Sequence, residues 1–316
     1  MALLASCEKE VPYDAGFRPS PVLNALPSDG ERLFLNFGFS RLMLDTTSAS
    51  PIAGANVAVR LGNRLLHPDS VARCNYFFNA TPAPHDTVSV LITLADGQTV
   101  TASTTVPPRP QVDNVVSYID TSDVFNLGIA QFDLTDEPNH RNYYYITVMQ
   151  RDSGTRRNLW RDTLETIDTT FPTYFLCPYT PQLTGAASTE ALGGYFYASL
   201  LTSDSLFDGQ TVPSSILLML LVDTTEVQPF LHQYTLQVES ISKERYRYLH
   251  DIATATSLTS AFAEPAPTYS NVKGALGLFA GSSRRRFTLD IDPSILQPRD
   301  GSKAATGIPR NIATGR

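Results

Sequence analysis

The chain has 316 residues, of which 42% are hydrophobic, and its formal net charge is −7 with a pI near 5.2. Its length permits two domains or one large β domain, and the hydrophobic share is sufficient for a core. The acidic balance argues against nucleic-acid binding, which requires a basic stripe. The one basic cluster, Arg284-Arg285-Arg286, is only three residues long, and we expect it at a solvated strand edge.

The first seven residues resemble the end of a bacterial lipoprotein signal, in which a Leu-x-Ser-Cys box precedes cleavage and the cysteine is acylated. We therefore predict lipid attachment at Cys7, with a chance cysteine as the alternative. A secretory signal needs a basic region and ~7–15 apolar residues, so residues 1–28 are expected to hold a shortened signal and a polar tether. Glu8-Lys9-Glu10 is similar to the short signal that sends such lipoproteins to the outer face of the outer membrane.

Residues 29–107 have the pattern of a small β domain. Arg32 to Leu44 alternates apolar and polar side chains, as a half-buried strand does. The Pro-Ile-x-Gly-Ala-x-Val-x-Val pattern that begins at Pro51 resembles a strand of immunoglobulin-like or prealbumin-like modules. Asp96-Gly97 is a turn signal between two further strands, Thr87 to Leu94 and Thr99 to Thr105. These features predict an immunoglobulin-like or prealbumin-like β-sandwich.

Three prolines between Pro107 and Pro110 interrupt the strand pattern, and we place a domain boundary there. About eight short strands follow between residues 112 and 292, which predicts a larger β-sandwich or an open barrel with one packing helix. Residues 293–316 lack periodicity and are expected to be disordered. The fold class is therefore mainly β.

The one predicted helix spans residues 242–254. Tyr246, Leu249 and Ala253 form its apolar stripe, so Leu249 is expected in the core, and the charged side chains, among them Arg245, take the opposite face. The hydroxyl of Ser242 is expected to cap the first turn. Three glycines follow in an apolar strand, and we expect them to permit close packing against the helix; they are Gly274, Gly277 and Gly281.

The sequence contains no motif of a known catalytic site. Its five histidines have no zinc-ligand spacing. Asp204, Asp208 and Gly209 offer too few ligands for calcium, which takes about 6–8 oxygens, so a tight turn is the favoured interpretation there. Cys74 and Cys177 either form a disulfide or remain as two buried thiols. We predict no metal and no cofactor.

A tripeptide of Asp, then Ser or Thr, then a medium apolar residue or Thr occurs seven times, which is more than composition predicts. It resembles the O-glycosylation acceptor of Bacteroidota envelope proteins, and the alternative is the Asp-initiated turn chemistry of any strand-rich protein. One of the seven hydroxyls, Ser205, is omitted because its turn has a structural explanation. The candidate acceptors are Thr46, Ser70, Thr87, Thr163, Thr169 and Thr224.

Several segments together resemble a Bacteroidota surface lipoprotein family catalogued as domain of unknown function 4249. They are the Ile-Ser-x-x-x-Tyr-x-Tyr-Leu helix that begins at Ile241, the Phe-Ala-Glu-Pro, Tyr-Ser-Asn-Val and Gly-x-Leu-Gly-x-Phe segments after it, Asp136 to Val148, and Ser203 to Gly209. The resemblance implies a non-enzymatic binding or accessory subunit of a TonB-dependent outer-membrane transporter. A surface hydrolase and a structural adhesin remain alternatives. A candidate partner or ligand surface consists of Arg247, Tyr269 and Asn271.

Overall fold

The computed structural model describes residues 17–41, 51–120, 127–158, 162–177, 183, 191–192, 196–197, 199–220, 226–256 and 269–291. These residues form four open sheets of three to five strands, one two-stranded pair, a short 3-10 helix and one longer α-helix. No closed barrel occurs within these ranges. The predicted mainly β fold class is therefore confirmed.

Eight strands belong to the first part of the chain: β1 (Pro21–Ala25), β2 (Phe34–Phe39), β3 (Asn56–Leu61), β4 (Arg64–Leu66), β5 (Ser70–Ala72), β6 (Asn75–Phe77), β7 (Thr87–Thr93) and β8 (Thr99–Thr105). The later strands are β9 (Gln111–Asp120), β10 (Leu127–Thr135), β11 (Tyr143–Asn158), β12 (Thr163–Thr173), β13 (Ala191–Leu192), β14 (Phe196–Tyr197), β15 (Leu200–Ser203), β16 (Thr211–Met219), β17 (Glu226–Ile241), β18 (Leu276–Phe279) and β19 (Ser282–Leu289). The 3-10 helix η1 is Asp204–Leu206 and the α-helix α1 is Lys243–Thr256.

The first sandwich packs a sheet of order β18-β1-β2-β6-β5 against a sheet of order β4-β3-β7-β8. Its strands alternate buried and more exposed side chains, as a strand with one face on the core does. In β7 every second residue is buried, namely Val88, Val90 and Ile92. The predicted Asp96-Gly97 turn joins β7 to β8, and Gly97 has the positive φ of 85° that such a turn requires.

The second sandwich packs the sheet β16-β10-β9 against the sheet β12-β11-β17-β19, with β15 also paired to β11. Its core combines apolar side chains of β10 and β16 with those of β11 and β17; among them are Phe132, Ile216, Ile146 and Leu236. The remaining pair, β13 and β14, is antiparallel.

Two segments, Pro21–Ala25 and Leu276–Phe279, lie elsewhere than expected. Residues 8–28 were predicted as a tether, but Pro21–Ala25 forms β1, in which Leu23 is fully buried. We also predicted that Leu276–Ala280 belongs to the second domain, but β18 pairs in parallel with β1 of the first sandwich. Both segments contain too few residues for periodicity to show which sheet they join. The boundary between 107 and 112 stays a prediction, and the predicted disordered tail lies outside the described residues.

The glycines after the helix pack against backbone rather than against the helix. A Cβ atom at Gly277 would overlap the carbonyl oxygen of Leu23 in β1. At Gly274 and Gly281 it would overlap the carbonyl oxygens of Thr99 and Thr105, at the two ends of β8. These glycines therefore allow the segment 274–281 to lie directly on the first sandwich.

Helix α1 lies beside β11, β15 and β18, so it contacts strands of both sandwiches. Leu249 is only half-buried, which corrects the prediction that it is a core residue. Tyr246 packs instead on Tyr143, with ring centroids 4.6 Å apart. The hydroxyl of Ser242 has no hydrogen-bond partner, so the predicted side-chain cap is wrong. Periodicity identified the helix but not the direction from which its neighbours approach.

The arginine cluster on β19 makes specific contacts although its side chains are exposed or only partly buried. Arg284 forms an ion pair with Glu31, and Arg285 donates to the carbonyl of Val112 at 2.9 Å. Arg286 donates to Oε1 of Gln237 at 2.8 Å. The strand is an edge strand, as expected, but its cationic side chains bind the surrounding strands and loops.

Two further findings concern the membrane and the cysteines. None of the described helices is both long enough and apolar enough to cross a membrane. Cys74 and Cys177 are both buried and neither forms a disulfide; Cys74 lies in the first half of the chain and Cys177 in the core of the second sandwich. The thiol alternative is therefore the one that the structure supports.

We expect Gly277→Ala to lower the free energy of unfolding by about 1–3 kcal/mol more than Gly62→Ala, because overpacking costs about that much. Gly62 is the matched control, since its φ is also positive, 56° against 117°, but a Cβ there would meet no atom within 4 Å. Urea denaturation followed by circular dichroism measures both losses. Equal losses would show that the contact with β1 is not tight.

Candidate functional site

A cleft of about 690 Å³ lies between the two sandwiches and the start of α1. Four parts of the chain line it: His85, residues 105–108, residues 140–143 and residues 240–244. The segment 105–108 leaves β8 of the first sandwich, and 240–244 joins β17 to α1 in the second. Because ligand sites occur preferentially where two packed units meet, this cleft is the candidate functional site.

The wall formed by residues 140–143 is fixed by two buried carboxylates. Asp204 accepts a hydrogen bond from Arg141 Nη1 at 2.9 Å and one from the backbone amide of Asn142 at 2.7 Å. Asp136 accepts bonds from Asn142 Nδ2 at 3.1 Å and from the hydroxyl of Tyr144 at 2.6 Å. Burial, reinforced by the bond to Asp136, raises the pKa of the Tyr144 hydroxyl.

Asp136, Asp204 and Asp208 place carboxylate oxygens within 4.8 Å of one another. This is the one cluster of potential metal ligands among the described residues. Asp136 and Asp204 are buried, and each of their four oxygens accepts at least one hydrogen bond from a protein donor, including the backbone amide of Gly209 at 2.9 Å. Such saturation favours a structural clamp between two loops, whereas the sequence had indicated only a tight turn at Asp204, Asp208 and Gly209.

The opposite wall is anchored by a buried ion pair. Arg245 of α1 binds Glu239 of β17, and the two side chains are only 13% and 4% exposed. Gln237 donates to the other carboxylate oxygen at 2.5 Å, and the Arg245 guanidinium lies 5.4 Å from the ring centroid of Tyr145. Arg245 was predicted on the solvent face of the helix, which is wrong. The pair fixes the helix start against the sheet.

Of the three residues predicted to form a partner surface, the structure brings two into contact, Arg247 and Tyr269. The guanidinium of Arg247 lies 5.8 Å from the ring centroid of Tyr269, and the backbone amide of Tyr269 donates to Asp251 of α1 at 3.1 Å. Arg247 is exposed, so this pair can contact a partner. The side chain of Asn271 instead exchanges two hydrogen bonds with the backbone of Phe279, at 2.7 and 2.9 Å. Asn271 therefore has a structural role in shaping the turn before β18.

Four of the candidate glycosylation acceptors lie within the described residues, and all four are exposed: Ser70, Thr87, Thr163 and Thr169. The preceding acids are engaged, for example Asp168 with Arg151 at 2.9 Å. The hydrogen bonds of the guanidinium hold the pKa of Asp168 below its usual range. The exposure of these four hydroxyls is compatible with O-glycosylation. The ion pair of Asp168 with Arg151 gives that aspartate a structural role that does not depend on glycosylation. Cys7, Thr46 and Thr224 lie outside the described residues.

Sequence reasoning did not identify the residues that shape the cleft, namely Asp136, Arg141, Asn142, Glu239 and Ser242. The segment from Asp136 to Val148 contributed to the family resemblance, but its role as a clamp depends on a bond to a loop more than sixty residues away. The spacing of these residues carries no periodic signal.

We expect Asp136→Asn to lower the free energy of unfolding by about 1–3 kcal/mol, because an amide nitrogen cannot accept the bonds that the carboxylate oxygens now accept. Asp208→Asn is the control, since this exposed carboxylate accepts one bond, from the amide of Asn139 at 3.0 Å. It should cost less than about 1 kcal/mol. Chemical denaturation compares the two variants, and a larger loss for Asp208→Asn would contradict the clamp.

The comparisons with known proteins identify one family. A search of curated proteins finds no relative of this chain. The family described as Domain of unknown function (DUF4249) matches residues 8–288, which include both sandwiches, the helix and every segment that lines the cleft. The match confirms the resemblance inferred from the sequence and covers more than half of the chain. The chain therefore belongs to the DUF4249 family.

Proposed function

We propose that this protein is a lipid-anchored binding protein of the outer membrane that faces the cell exterior. It acts as a non-enzymatic accessory subunit of a TonB-dependent transporter in nutrient uptake. The observation that carries the binding role is the cleft of about 690 Å³, which both sandwiches line and whose walls are fixed by buried polar contacts. A volume in this range suits a small molecule.

The anchor and the partner are supported by the sequence. Cys7 follows the Leu-x-Ser box, and Glu8-Lys9-Glu10 resembles the export signal of surface lipoproteins. The transporter is the partner that the family resemblance implies. Arg247, which is exposed on α1, and Tyr269, on which its guanidinium packs, form the surface that we assign to this partner, because aromatic and arginine side chains are enriched in protein interfaces.

A surface hydrolase is the second candidate, and the cluster of three carboxylates near the cleft is the observation in its favour. Two of these carboxylates are buried and bound to protein donors, which leaves Asp208 as the exposed member. The binding role therefore has the stronger support.

The anchor and the partner are tested together. Expressed behind a full lipoprotein signal, the protein should be acylated and should recover a large β-barrel protein from detergent-solubilised envelopes. Cys7→Ala should lose fatty-acid labelling and leave the membrane fraction. Arg247→Ala should weaken recovery of the barrel at unchanged stability, since exposed substitutions usually change stability by no more than about 0.5 kcal/mol. Repeated recovery of the protein alone would count against the transporter.

Glycosylation is tested by mass. Protein purified from envelopes should exceed the 34.6 kDa of the polypeptide by more than its lipid, and the excess should fall stepwise as Ser70, Thr87, Thr163 and Thr169 are changed to Ala. Thr99→Ala is the control, because Thr99 is exposed but follows Gln98 rather than an aspartate. A mass unchanged by all four substitutions would leave the turn interpretation of these tripeptides.

A further inference from the structure

A second cavity, of about 430 Å³, lies on the face of the sheet β16-β10-β9 that is turned away from the core. No described residue lines both this cavity and the cleft between the sandwiches. Its volume lies within the roughly 300–1,000 Å³ of small-molecule sites. All three strands contribute to its wall, β9 with Asn114 and Val116, β10 with Gln131 and Asp133, and β16 with Pro213 and Ser215.

A β-bulge in β9 shapes one side of this cavity. The pairing of β9 with β10 leaves out residues 114 and 115, between Asp113 and Val116. Asn114 has a positive φ of 52°, which few residues other than glycine adopt. As a result Asp113, Asn114 and Val116 are all exposed, whereas regular alternation would turn one of the first two inward. Bulges re-aim side chains in this way beside binding sites.

The polar groups of the cavity include both hydrogen-bond donors and acceptors. Asn114 Nδ2 donates to Asp133 Oδ2 at 2.7 Å, so these two side chains hold each other in place. Within the part of the chain that the structure describes, the Gln131 amide and the Ser215 hydroxyl have no protein partner. An amide and a hydroxyl each donate and accept. The hydroxyl groups of a sugar do the same, so they can bind to both.

The charge of the cavity excludes an anionic ligand. Asp133 is the one charged side chain among its described lining residues. Its register partner on β9 is another acid, Asp113, so a carboxylate or phosphate here would meet two like charges. A metal ion is also disfavoured, because the Asn114 and Gln131 side chains each carry an N–H₂ donor and a metal ion takes acceptor atoms. A neutral ligand with several hydroxyl groups fits this combination.

Exposed apolar side chains lie beside the polar ones. Val116 lines the cavity and is 54% exposed, and Pro213 is exposed opposite Asp133. Tyr118 is 42% exposed and lies on the same face as Val116, because alternate residues of a strand point to the same side. The negative face of an aromatic ring attracts the C–H groups of a sugar ring. Such a surface next to amides and a carboxylate suits a saccharide better than a fully polar ligand.

We propose that this cavity binds a neutral saccharide. Asn114, Gln131 and Asp133 bind its hydroxyl groups, and Val116 and Tyr118 pack against the apolar face of a sugar ring. The inference goes beyond the proposed function, because the site is separate from the cleft and from the surface assigned to the transporter.

A glycan microarray tests the class of ligand. The full chain carrying Cys7→Ser, which cannot be acylated, is applied to neutral oligosaccharides and to the same oligosaccharides with sialic acid or sulfate added. Neutral members should bind, and their acidic forms should bind more weakly because of Asp113 and Asp133. Absence of binding by every neutral oligosaccharide, or stronger binding of the acidic forms, would overturn the proposal.

Isothermal titration with the neutral oligosaccharide that binds best then tests the location. Gln131→Ala and Tyr118→Ala should each weaken binding about three- to tenfold, as expected for the loss of one hydrogen bond or one aromatic contact. Neither variant should lower the melting temperature of the ligand-free protein appreciably, because both side chains are exposed. Gln98→Ala is the control, since Gln98 is an exposed glutamine in the turn between β7 and β8 of the first sandwich.

Saccharide binding that survives both Gln131→Ala and Tyr118→Ala, or that falls equally in Gln98→Ala, would overturn the assignment of the site. The recovery of a transporter from envelopes depends on neither experiment. The saccharide site and the proposed partnership can therefore fail separately.

Discussion

The structure depends on the close contact between the segment 274–281 and the backbone of the first sandwich. Side chains larger than hydrogen are excluded where Gly277 meets β1 and where Gly281 meets the end of β8. The amide of Gly281 also donates to the hydroxyl of Thr104 at 2.9 Å, and the Ser283 hydroxyl donates to the carbonyl of Pro107 at 2.6 Å. These contacts bring β19, an edge strand of the second sandwich, directly beside the first one. Pro107 and Ser242, which both line the cleft, are hydrogen-bonded to residues 281–283.

The helix depends on the same segment. The amide of Ser242 donates to the carbonyl of Gly281 at 2.9 Å, so the helix start is tied to the chain where it passes between the sandwiches. The buried pair of Arg245 and Glu239 then fixes the first turn to the sheet. Removal of one member of a buried pair leaves an unpaired charge, which costs far more than a surface contact. The orientation of the helix dipole toward the cleft is thus a consequence of buried polar contacts rather than of an apolar stripe.

The sequence was sufficient for the fold class, the helix and the hairpin turn at Asp96-Gly97, because each follows from a local rule of periodicity or backbone conformation. It was insufficient for β1 and β18, whose pairing joins residues at opposite ends of the chain. The site was the least predictable part. Asp136, Asn142 and Asp204 act through bonds between distant loops, and Ser242 is notable for a hydrogen bond that it does not make. The family resemblance located these segments without indicating their roles.

The parallel pairing of β1 with β18 also affects how the chain folds. Val22 pairs with Leu276, so the first sandwich includes a strand that is synthesised after nearly the whole of the second. Contacts of such large sequence separation form slowly, because the entropy of closing a long loop is lost before they contribute. While β18 is absent, one edge of β1 presents unpaired backbone groups, which can pair with other strands. Until β18 pairs with it, this edge of β1 is therefore a point at which the first sandwich can mispair during folding.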